Sequence, residues 1–110
     1  MTDIVKDRRI LESPWEQSVG ESVAYTLTIP TTWGTSTLSS ISSKLWEDPN
    51  VTNTERTSTM LTGSASASGQ VITTETVTGL TIDLDYRLEV TFTTSEGNTL
   101  VAWGLIRAWR

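Results

Sequence analysis

The sequence contains no cysteine and no histidine. The first absence removes disulfides, thiolate nucleophiles and thiolate metal sites. The second removes the Ser-His-Asp and Cys-His arrangements and imidazole ligation of metals. The fold must therefore stand on its apolar core or on assembly with other chains. Basic residues are also few: 8 Lys and Arg against 13 Asp and Glu, for a net charge of −5. Phosphate binding needs a dense basic face, so nucleic acid is not an expected partner. Apolar runs extend only a few residues, far short of a membrane-spanning helix, and no basic amphipathic helix suits a membrane surface. Thr2 to Arg9 are polar and charged, so no signal peptide is expected.

Small hydroxyl residues are abundant. The chain of 110 residues holds 21 Thr and 13 Ser. Thr suits a half-buried pleated surface and neither residue favours a helix interior, so the composition points to an all-β domain of ordinary size. Alternation of apolar and polar residues supports this. Val23, Tyr25, Leu27 and Ile29 oppose Ala24, Thr26 and Thr28 within a strand expected over Glu21–Ile29. Tyr86, Leu88, Val90 and Phe92 oppose Arg87, Glu89, Thr91 and Thr93 over Tyr86–Thr94. Further strands are expected around Ile10-Leu11 before a break at Pro14, and over Ile41–Glu47, Glu55–Leu61, Gln70–Val77 and Leu100–Trp109. Asp48-Pro49-Asn50 is a turn signal. Gly63–Gly69 is a flexible hairpin tip, and Ser95-Glu96-Gly97-Asn98 is a tight turn in which Gly97 and Asn98 take positive φ.

Seven strands at this spacing predict a single seven-stranded antiparallel β-sandwich of immunoglobulin-like or fibronectin-like type, with residues 1–18 as an N-terminal arm and edge strand. Gly79 and Leu80 lead into a turn before Tyr86. The arrangement is similar to the tyrosine corner of such sandwiches, in which the hydroxyl bonds back to upstream backbone. By the same analogy Trp46 is expected to face inward.

The last strand is apolar on both sides. Val101, Trp103, Leu105 and Trp109 share one face with Arg107. Leu100, Ala102, Gly104, Ile106 and Ala108 share the other. Two readings are open. In one, the larger residues form the core and the small ones lie outside. In the other, something covers the second face, and the strand is a subunit seam in which small residues admit another backbone or aromatic ring. Five Trp beside one Phe favour an interface, where Trp is enriched. Trp15 and Trp33 fall in segments read as loops, where each is either an interface residue or a core plug.

Chemistry is sparse. Asp83 and Asp85 lack the glycine and distal glutamate of a calcium loop, and turn polarity accounts for them. Glu75 and Glu89 could face each other across strands, but no cleft signal supports a glycosidase, and exposed strand faces commonly carry acids. No phosphate-binding loop occurs. Asn50-Val51-Thr52 is a glycosylation sequon by chance. No enzyme activity, cofactor or metal is expected.

The order of features resembles a group of small Ig-like phage virion proteins, the phage fibre–tail adaptor-like proteins. The resemblance runs from Ile10 to Arg110. It rests on Pro14, Tyr25, Ile29, the Trp33-Gly34-Thr35 loop, Leu38, Ile41-Ser42-Ser43, Trp46, Met60-Leu61 with Gly63, Gly69, Tyr86 and Gly97. The chain departs from it at Gly79–Leu84, which is longer, and at the Ser/Ala-rich Gly63–Gly69. The resemblance implies a structural role in the virion, with copies in a ring or trimer joining tail or baseplate to fibre, and other virion proteins as partners. A capsid decoration protein and a fibronectin-like carbohydrate- or surface-binding module are the alternatives. Trp15, Trp33, Trp103, Leu105 and Trp109 are the candidate interface residues.

Overall fold

The computed structural model describes residues 13–30 and 37–109. These form β1 (Trp15–Ser18), β2 (Val23–Thr28), β3 (Leu38–Glu47), β4 (Thr54–Glu55), α1 (Thr57–Met60), β5 (Leu61–Thr62), β6 (Ser66–Ser68), β7 (Val71–Val77), β8 (Asp85–Thr94) and β9 (Thr99–Trp109). Among the described residues the fold is all-β apart from the single turn of helix. Its strands lie in two sheets, one ordered β1-β9-β8-β3-β4 and the other β2-β7-β5, with β6 also on β7.

The core lies between the sheets, and the pleat explains who enters it. Tyr86, Leu88, Val90 and Phe92 of β8 are all fully buried, facing Leu27, Ile29 and Ile72 of the second sheet's side. The residues between them point outward, as strict alternation requires.

β3 obeys the same rule with one interruption. Ser40, at φ 52°, sits where the β3–β8 register shifts between Ser39 and Ser42. This bulge changes the parity of the strand. Leu38 is buried before it, and Ser43, Leu45 and Glu47 are buried after it. Trp46 therefore faces outward, contrary to the inward position expected by analogy, and its indole N–H donates to Glu89 Oε1 at 3.0 Å.

The strand inventory differs from the expected seven at several points. Ile10 and Leu11 lie outside the described residues. Pro14 precedes the first observed strand rather than ending one, and β1 pairs parallel with β9, Trp15 opposite Ile106 and Ser18 opposite Trp109. The five-stranded sheet is therefore not wholly antiparallel. Glu55–Leu61 is not one strand, because Arg56 N–H returns to Leu45 O and the chain then winds through α1. β5 and β6 are two pieces along β7, separated where Gly63 takes φ 87°. In the β8–β9 turn only Gly97 has positive φ; Asn98 N–H is held instead by Thr94 Oγ1 at 3.2 Å.

Two polar clusters stand out, and the first ties the layers together. Gln17, fully buried on β1, donates to Val77 O at 2.9 Å and to Glu21 O at 3.0 Å, and accepts from the Tyr25 hydroxyl at 2.5 Å. Every polar atom of its amide head has a partner, which is what makes its burial tolerable. At the other cluster the Tyr86 hydroxyl accepts from Thr81 N–H and donates to Glu47 Oε2, both at 2.8 Å, while Arg56 grips Glu47 Oε1 at 3.1 Å. Leu80 is buried beneath this bend, and Gly79 has φ 76°, a conformation that favours glycine.

Candidate protein-interaction face

The outer face of the five-stranded sheet is built by the odd-numbered residues of β9 and β8. On β9 the even-numbered residues turn inward: Ala102, Ile106 and Ala108 are buried. Gly104 turns inward with them, and a Cβ there would lie 2.9 Å from Trp15 Cζ3 and 3.2 Å from Ser13 Cβ. The parallel pairing of β1 with β9 brings Trp15 to this spot. Its ring also meets Tyr25, with centroids 4.4 Å apart. The small face of β9 is thus covered by an aromatic ring of the same chain. Filling that space from β1 leaves the larger residues, Val101, Trp103 and Leu105, on the solvent side.

They do not lie on a flat surface. Pro49 and Asn50 of the β3–β4 connection fold over the sheet and, with Arg87, Glu89, Val101, Trp103 and Leu105, enclose an open groove of about 590 Å³. Cross-strand register sets its two sides, because Leu105 pairs with Arg87 and Trp103 with Glu89. One column is apolar and the next is charged but internally neutralised. Arg87 Nε lies 2.9 Å from Glu89 Oε2, whose other oxygen accepts from Trp46. Arg87 Nη2 reaches toward Asn53 Oδ1 at 3.5 Å. Further along the same face, Arg107 Nε lies 3.2 Å from Asp85 Oδ1. Such a surface favours an uncharged, partly apolar occupant over an ion.

The five candidate interface residues separate. Trp103 and Leu105 line the groove. Trp109 ends the same face and is 45% exposed. Trp15 is not on this face; it is half-buried and packs against the core from β1, a strand rather than the loop expected. Trp33 lies outside the described residues. Pro49, Asn50, Arg87 and Glu89 were not among the sequence candidates. The Asp48-Pro49-Asn50 turn was legible, but which face it covers depends on a register that alternation alone does not supply.

Glu75 is on β7 and Glu89 on β8, in different sheets, so the two do not face each other across neighbouring strands. Asp83 occupies a turn at φ 68° and Asp85 is engaged by Arg107. No three Asp, Glu, His or Cys side chains converge as metal ligands among the described residues, and no helix there is long and apolar enough to cross a membrane. Comparison of the chain with protein-family models and with curated proteins finds no match.

Proposed function

We propose that this chain is a non-enzymatic structural protein of a phage virion, an adaptor that joins tail or baseplate to fibre through protein–protein contacts, and that its two sheets form an immunoglobulin-like sandwich. Several features support the fold reading. With β5 and β6 counted as one interrupted strand and the two-residue β4 left aside, seven strands remain. The chain crosses between sheets from β2 to β3 and from β7 to β8, in Greek-key fashion. The Tyr86 hydroxyl bonds to backbone five residues upstream, as a tyrosine corner does.

The observation that carries the functional reading is the groove on the outer face of β9. Val101, Trp103 and Leu105 face away from the core, while the inward side of the strand combines Ile106 with the small residues Ala102, Gly104 and Ala108. A domain that buries this face against another protein gains apolar area at about 25 cal/mol per Å², with Trp as the anchor most often found at such contacts. Repetition in a symmetric particle multiplies modest single contacts.

The test is co-sedimentation with purified tails and with emptied capsids from the source virion. The wild-type chain pellets with tails, and the Trp103→Ser, Leu105→Ser double variant, with an unchanged circular dichroism spectrum, does not. Binding to capsids alone transfers the role to decoration. Binding to neither removes the virion reading and leaves a surface-binding module.

A further inference from the structure

The groove has its counterpart on the very turn that walls it, and we infer that its occupant is a second copy of this chain, related by a two-fold axis. This rests on the reading of the β9 face as a protein contact, and it makes the free dimer and the tail-bound chain alternative states of one groove. Val51 directly follows Pro49 and Asn50. At 78% exposure it is the most exposed large apolar side chain among the described residues. The turn uses its backbone N–H, which donates to Asp48 O at 3.0 Å, a bond that any residue but proline would make. A two-fold interface requires a patch complementary to itself, with projection and recess close together. The β3–β4 turn supplies both: Val51 as projection, and the recess lined by Pro49, Trp103 and Leu105.

Charge selects the same face. The chain carries a net charge of −5, so two copies repel over most approaches. At the centre of the groove face Glu89 is partnered by Arg87 and Trp46 and Asp85 by Arg107, while the exposed Glu55 and Glu16 lie on the two edge strands of the same sheet. Lys44 stands opposite Glu89 in the β3–β8 register and adds a further positive charge. Two copies meeting here bring together nearly neutral surfaces and desolvate no unpaired carboxylate of these pairs.

Sedimentation equilibrium of the full chain tests this. The wild type is expected to dimerise reversibly. Val51→Asp and Trp103→Ala are each expected to weaken dimerisation by about tenfold or more, the effect of losing one well-buried apolar side chain per contact. Val51→Asp leaves the urea midpoint of the monomer unchanged, so the result does not depend on whether Trp103→Ala folds normally. Mixing the two variants gives more dimer than either alone, because one of the two contacts in the mixed pair is intact. A chain monomeric at every concentration, or a dimer, trimer or ring indifferent to Val51→Asp, overturns the inference. A monomer that still binds tails through Trp103 and Leu105 overturns the dimer and leaves the adaptor reading in place. A Val51-dependent dimer that ignores tails does the reverse.

Discussion

Gly104 decides which way the last strand faces. Its inward side is occupied by the Trp15 ring, and a methyl group there would press on Cζ3 at 2.9 Å with Ser13 behind it. The ring cannot yield without moving β1, because it is held against Tyr25. Gly104→Ala is expected to lower unfolding free energy in urea by about 1–3 kcal/mol, the usual cost of overpacking. The cost should shrink when Trp15 is also replaced by Ala, since the clash is then gone. The two tyrosines set a second expectation. Burial pushes the Tyr25 hydroxyl up from 10.0 to about 12, with the Glu21 charge acting the same way. Burial also raises Tyr86; the Thr81 hydrogen bond opposes this and Glu47 reinforces it. Because the folded values lie above the unfolded ones, the unfolded chain loses its protons first. Stability is therefore full below pH 10.0 and falls as pH rises toward about 12. Phenolate absorbance of the folded protein should stay low until the pH passes the free-tyrosine range. Phenolate signal at that range in folded protein would show that the hydroxyls are not buried.

At the scale of the element, β8 was legible and β9 was not. Alternation in β8 sorts its residues without ambiguity, because one side is apolar and the other is Arg87, Glu89 and Thr. In β9 both sides are apolar, so the pattern carries no sign. The sign comes from β1, which pairs with β9 across some ninety residues of sequence. Trp46 was misplaced for a related reason. The positive-φ bulge at Ser40 changes strand parity, and Ser rarely announces such a bulge. The interface candidates Trp103 and Leu105 were readable as aromatic and aliphatic excess. Their polar neighbours Arg87 and Glu89 were not, since only cross-strand register joins them. Neighbouring residues of β9 give the direct test of facing. Ile106→Ala removes a fully buried side chain and should cost about 2–5 kcal/mol, whereas Leu105→Ala should cost about 1 kcal/mol or less. Equal costs in urea denaturation would mean that the assignment of faces is wrong.

At the scale of the molecule, the sheet of five strands presents one side to the core, and we propose that the other, through its groove, meets a partner. The two halves of that statement are separable by accessibility. Hydroxyl-radical footprinting with mass spectrometry reports both at once, on dilute chain and on chain in its assembled state, as concentrated protein or bound to tails. The proposed interface predicts that Trp103 is modified in the dilute chain and protected on assembly, while the fully buried Tyr86 is protected in both. A Trp103 that is shielded when dilute, or equally modified in both states, would contradict it.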